Sequence, residues 1–155
     1  MKRAVLVCIL VSVGLASFAR PVEKPVEKPD EAEVRRTLHD FLTAFENLDM
    51  DRFMTFFANN ASVYLRGSAQ RVYGREAIQR HFAGIFEEIR GQQTHPPYLH
   101  MDPQELKIQV MGDTAVITFH IEDQPGTLNR RTIVMHRTRG AWKIVHMHAS
   151  DVKRH

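Results

Sequence analysis

Two imidazoles separated by one residue, His146 and His148, lie near the carboxyl end of this chain in the run Trp142-Lys143-Ile144-Val145-His146-Met147-His148-Ala149-Ser150. Side chains alternate along a strand. The spacing therefore predicts Trp142, Ile144, His146, His148 and Ser150 on one face, and Lys143, Val145, Met147 and Ala149 on the other. A neutral imidazole is both donor and acceptor, and it gains charge just below neutral pH. With the permanent cation of Arg131 added, the pair can hold the anionic or carbonyl end of a small organic molecule, or one ring can act as a general base. Arg131 joins the set through a hairpin: a two-residue turn at Arg139-Gly140 pairs Ile133 with His146, Arg131 with His148 and Arg137 with Trp142. A three-residue turn would instead bring His136 beside Trp142. The competing reading makes both histidines structural, bonded to backbone or set in a dimer interface, and makes Trp142 a core residue.

Other chemistries have thinner support. Two histidines on one strand face suit zinc or iron only with further ligands. His120 and Glu122 share a parity upstream but would need strand order to bring them close, so neither a metal nor any other cofactor is assigned. A carboxyl group in an apolar cavity opposite a proton donor would suit enolate chemistry. Asp40, beside an apolar helical stripe, and Tyr64, a phenol able to project inward from a strand, are the candidates; a solvated Asp40 and a rim or core Tyr64 are the plainer readings. His39 and His81 fall at surface positions of helices, and His95 and His100 in a loop that could cover a cavity mouth.

These groups need a scaffold, and the patterning supplies one. Asp30 and Glu33 form a capping arrangement before Val34, Leu38, Phe41, Leu42, Phe45 and Leu48, which recur at helical spacing. Asp51 can cap a short second helix carrying Phe53, Phe56 and Phe57. Ala61 to Arg66 and Gln70 to Tyr73 read as short strands around Gly67-Ser68, and Glu76 to Arg90 as a third helix. Three β segments follow: Gln104 to Met111, Thr114 to Asp123, and a hairpin of Leu128 to Thr138 with Ala141 to Asp151. Gly112-Asp113 and Pro125-Gly126 mark the turns between them. Helices first and strands afterwards predict an α+β domain, with the helices packed on one face of a bent antiparallel sheet. A conical cavity between the two layers is the expected ligand site.

The remaining residues bear on location. Lys2-Arg3, the uncharged run from Ala4 to Ala19 and the small-residue pattern Ser17-Phe18-Ala19 read as a signal peptide over residues 1–19, the run being too short for a membrane anchor. The chain is thus expected to be exported, to the periplasm or the medium, with no membrane contact after cleavage. The only Cys, Cys8, leaves with that segment, which excludes disulfides and a thiol nucleophile from the mature protein. Residues 20–29, with proline at 21, 25 and 29, read as an extended spacer, and residues 30–155 as one domain. The 155 residues are too few for two cores. Removing Lys2 and Arg3 leaves 19 basic against 18 acidic residues, a net charge of +1 and no footprint for nucleic acid.

Gly74-Arg75-Glu76-Ala77-Ile78 and the run from Trp142 to Ser150 resemble the SnoaL-like branch of the nuclear transport factor 2-like superfamily, from about Glu31 to Asp151. The closing hairpin, through Val134, His136, Arg137, Gly140, Trp142, Val145, His146, His148 and Ser150, also resembles the association (hub) domain of calcium/calmodulin-dependent protein kinase II. The resemblance implies a cone-shaped α+β barrel of the cystatin-like kind, often a homodimer, whose pocket serves isomerisation, cyclisation, dehydration, binding or assembly in different members. The hub's pocket arginine falls at Ile133 here, and Arg131, on the same face by parity, is the substitute.

Three readings result. In the first, the cone binds a small organic molecule through Arg131, His146 and His148, with Tyr64 and Trp142 nearby. The second is an isomerase, dehydratase or cyclase with a histidine base. In the third, the sheet assembles copies of the chain and the pocket is vestigial.

Overall fold

The structure, a computed structural model, describes residues 29–124 and 126–153. The expected signal peptide and all of the expected spacer except Pro29 lie outside the described residues. Helix α1 (Pro29–Glu46) begins on proline, whose fixed φ and missing N–H suit a first turn. Asp30, expected as its cap, sits within that turn. Helix α2 (Met50–Thr55) is capped two residues earlier than expected, by Asp49 rather than Asp51: the Asp49 carboxylate accepts from the Arg52 amide at 3.0 Å. Strand β1 (Phe57–Tyr64) takes Phe57 out of the expected helix. From the strand Phe57 still joins the aromatic core, 5.8 Å from Phe41 and 5.2 Å from Phe53, and an apolar residue at that position does not by itself separate helix from strand.

After β2 (Arg71–Tyr73) come α3 (Arg75–Gln92), β3 (Gln104–Met111), β4 (Thr114–Gln124), β5 (Thr127–Thr138) and β6 (Ala141–Lys153). The turn joining β5 to β6 has two residues, as expected, with Thr138 opposite Ala141. Arg139 and Gly140 take φ of 52° and 79°, the positive pair that a tight hairpin turn requires.

The six strands form one curved sheet in the order β2-β1-β6-β5-β4-β3. Two expectations are corrected. The sheet is unclosed, with β2 and β3 as its edges, and it is not wholly antiparallel, because β1 runs parallel to β6. Parallel neighbours need a long crossover, and α3 with the four strands β2 to β5 supplies it.

Helices α1 and α3 cover one face, here the inner one. Its central rungs are apolar from strand to strand: Val110, Ala115, Met135, Ile144 and Phe57 in one, and Ile108, Ile117, Ile133, Met147, Val63 and Val72 in the next. Over them sits an aromatic cluster centred on Phe53, whose ring lies 5.0 Å from Phe41, 5.2 Å from Phe57, 4.8 Å from Phe82 and 5.5 Å from Phe86. Each such burial contributes roughly 1.5–3 kcal/mol. Phenylalanine thus fills this part of the expected cone. The segment between α3 and β3 is strapped to the end of α1: Tyr98 N–H donates to the Glu46 carbonyl at 2.8 Å and Met101 N–H to Glu46 Oε1 at 2.6 Å.

Candidate functional site

The placement of the histidines turns on one residue of β6. From the hairpin tip, Arg137 pairs with Trp142, His136 with Lys143 and Met135 with Ile144, as a two-residue turn requires. The next pair is Val134 with His146, so Val145 is an extra residue, a bulge. Side-chain direction has period two, and one inserted residue reverses every face beyond it. Trp142 and Ile144 point inward, and after the bulge Met147 and Ala149 do so, all four being buried. His146, His148 and Ser150 point outward, away from the helices.

This corrects the expected grouping of the side chains. His146 and His148 do share a face, but they share it with neither Trp142 nor Arg131. Arg131 pairs with Ala149 rather than His148, and Ile133 with Met147 rather than His146. Tyr64 does not project inward: Ala61 and Val63 take the inner parity of β1, and Tyr64 is 37% exposed on the outer face. Of the five expected site residues, the sheet brings together Tyr64, His146 and His148 on its outer side, and leaves Arg131 and Trp142 on its inner side.

On the outer face, Ser62 Oγ lies 2.9 Å from His146 Nδ1, a contact expected from the direct register of Ser62 with His146. The Tyr64 ring stands edge-on to both imidazoles, with centroids 6.1 Å from His146 and 6.0 Å from His148. Burial holds the His146 ring below the usual imidazole pKa, and the neighbouring His148 and Arg71 push it the same way. It is therefore mainly neutral at pH 7, able to donate at one nitrogen and accept at the other. Ser62 and Arg71 were not anticipated. Alternation in Ala61-Ser62-Val63-Tyr64 was the available signal for Ser62, whereas the position of Arg71 depends on β2 pairing with β1.

Along the inner face the lining changes character. Beyond the rung of Ile117, Ile133 and Met147 comes Phe119, Arg131 and Ala149, and then Ile121 and Asn129. Asn129 is only 1% exposed, and Arg131 Nη1 is buried. Burial of this kind is costly without compensating interactions, and both residues do make interactions within the fold. Asn129 is the other polar group that sequence reasoning missed, although it stands at the same parity as Arg131, Ile133 and Met135.

Trp142 serves the scaffold. It is 3% exposed, its Nε1–H donates to Glu33 Oε2 at 3.3 Å, and the Arg137 guanidinium lies over its ring at 4.7 Å. Arg137 also donates to Asp30 Oδ1 at 2.6 Å, and this hydrogen bond holds the guanidinium still more firmly protonated. The hairpin tip is thereby clamped to the start of α1. Asp40 is likewise ordinary, half-exposed and paired with Arg52 at 3.1 Å. His120 lies 3.7 Å from Glu105, and among the described residues no three His, Cys, Asp or Glu side chains converge. Two surface grooves among those residues, of about 560 Å³ beside the first turn of α3 and about 440 Å³ on α1, are lined by none of the five expected site residues.

Comparison with known proteins agrees with this architecture. The model of the SnoaL-like domain matches residues 34–153. An NTF2-like protein of unknown function from Pseudomonas putida superposes with a TM-score of 0.64 at 21% identity, covering 78% of this chain and 85% of that one. A Streptomyces avermitilis protein of the NTF2-like family, proposed to be a dehydratase, gives 0.65 at 24% identity, covering 79% and 96%. A Thiobacillus denitrificans protein proposed to be a calcium/calmodulin-dependent protein kinase type II association domain gives 0.60 at 20% identity, covering 77% and 94%. No curated protein matches the chain. At these identities the likeness establishes the fold, and fold alone does not fix activity. With the helices on one side of a six-stranded sheet and the family model spanning almost all of the folded part, the chain belongs to the SnoaL-like domain family.

Proposed function

We propose that this is an exported protein that binds a small organic molecule on the inner face of its sheet, with Arg131 and Asn129 meeting the ligand's polar end. The observation that carries this reading is the change along one face from Ile117, Ile133 and Met147 to Phe119, Arg131 and Asn129. A few polar groups at one end of an apolar lining suit a ligand with a hydrocarbon body and an anionic or carbonyl head. Export rests on residues 1–19. The reading differs from the sequence expectation in giving His146 and His148 no part in this site.

Thermal shift against a panel of small carboxylates, enolisable ketones and steroids tests it. A ligand at one hundred times its dissociation constant stabilises by about 2.7 kcal/mol. Arg131→Met is expected to abolish the shift, whereas the His146→Gln/His148→Gln double variant keeps it. The opposite pattern, or no shift with any compound, overturns the reading.

A second observation favours self-assembly on the other face. Among the described residues the large exposed hydrophobic side chains are Tyr64, Tyr73, Met111 and Val152, and all four lie on the outer side. The outer rung of Gln109, Val116, Val134, His146, Ser62 and Tyr73 carries no permanent charge. In the rung of Lys107, Thr118, Thr132, His148, Tyr64 and Arg71, the permanent charges stand only on the edge strands. A centre without permanent charge inside a charged rim is the anatomy of a protein interface, and we infer that a second copy docks there as a homodimer. Sedimentation of the parent and of Thr132→Arg, which places a charge at the centre, is expected to show a dimer and a monomer respectively.

A further inference from the structure

We propose that the outer face is a pH-gated docking surface, on which protonation of His146 in mild acid separates the two copies. The inference rests on the homodimer reading and adds its control. His146 occupies the middle of the uncharged outer rung, so a copy docked there would remove its ring from water. The facing groups are few. From β1 come Ser62 and Tyr64, and from β2 Arg71 and Tyr73. β6 itself contributes His148 and also Lys143, whose ammonium is turned to the Thr55 carbonyl at 2.6 Å. β5 places uncharged Val134 opposite, with His136 and Arg130 farther along the same face, and β4 and β3 bring Val116 and Gln109 in line.

Arg71 and Lys107 stand at the two ends of the adjoining rung and Arg130 on the rung beyond it, and the rung of His146 itself carries no carboxylate to offset a new charge. A proton on His146 would thus be added to a positive, desolvated seam, and in a two-fold dimer it would be added twice. The Ser62 contact does not oppose the change, since the hydroxyl can donate to a neutral Nδ1 or accept from a protonated one. Charge can therefore change while the chain stays folded.

The sign follows from linkage. Burial in the dimer disfavours the imidazolium, so separated chains bind protons more readily than paired ones. Association is then full above the pKa of the free chain and weakens as pH falls below it.

Sedimentation equilibrium of the full chain tests this at constant ionic strength. Between about pH 8 and about pH 5.5 the dimer dissociation constant is expected to rise roughly tenfold or more, one decade corresponding to a single pKa unit. His146→Gln, with His146→Asn as a second neutral replacement should Gln misfold, is expected to dimerise with a flat pH profile while circular dichroism stays that of the parent. A parent dimer equally tight at both pH values overturns the gate and leaves the homodimer reading standing. A neutral variant that keeps the full acid response also overturns it. A parent monomeric throughout, or a dimer unaffected by Thr132→Arg, overturns the gate and the homodimer reading together.

Discussion

On the inner face of the sheet the rung of Ile117, Ile133, Met147 and Val63 is buried from end to end, whereas the adjacent outer rung of Thr118, Thr132, His148 and Tyr64 runs from half-buried to exposed. The same four strands supply both, one residue apart. Stability is thus concentrated on one side and titratable chemistry on the other, and in β6 the extra residue Val145 shifts the parity so that Met147 falls on the buried side and His146 and His148 on the other. Arg131 and Asn129 are the exceptions, polar groups on the stabilising side, which is why they rather than the histidines carry the ligand proposal.

A charge placed on the buried side is the most severe way to break this contrast. Met147→Asp sets a carboxylate in the apolar core, and the expected outcome is loss of a cooperative thermal transition, because an unpaired charge cannot be satisfied there. Deletion of Val145 is expected to keep the transition, since simple alternation then leaves Ile144 and Met147 inward and His146 and His148 outward. Phe53→Ala ranks next, with a destabilisation of about 3–5 kcal/mol in denaturant unfolding; Thr132→Ala, opposite in face, should cost less than about 0.5 kcal/mol. The clamp at the hairpin tip is intermediate: Glu33→Ala leaves the Trp142 Nε1–H without its acceptor and is expected to cost about 1–2 kcal/mol.

Acid sharpens the comparison more gently. Because the folded chain holds His146 below its unfolded value, stability is full above about pH 6.5 and declines as pH falls through the folded value. Solvent screening of this partly exposed ring keeps the loss under about 1 kcal/mol, and His146→Gln should remove that part of the slope in melts recorded against pH. The smallest effect is expected from Asp40→Asn, at most about 0.5 kcal/mol, since its pair with Arg52 is half-exposed on both sides.

Much of the fold was legible because most elements advertise themselves locally. The helical stripe from Val34, the strand Gln104–Met111 and the turn at Arg139-Gly140 each follow from neighbouring residues. The site was harder. The bulge left a trace, an inward pattern of Trp142, Ile144, Met147 and Ala149 whose middle step is three residues rather than two. Strict alternation overrode that trace and put Trp142 beside the histidines. Ser62 and Arg71 left less, since their nearness to His146 comes from β1 and β2, 84 and 75 positions away in the chain.

By itself, then, the sequence determined which segments are helix or strand, that helices would cover a sheet, and that His146 and His148 would share a face. Those outcomes depend on local periodicity and turn chemistry. Which face they share was decided by tertiary structure. Met147 and Ala149 are drawn inward beneath the helices while β6 keeps hydrogen-bonding to β5 and to parallel β1, and only an unpaired Val145 reconciles the two demands.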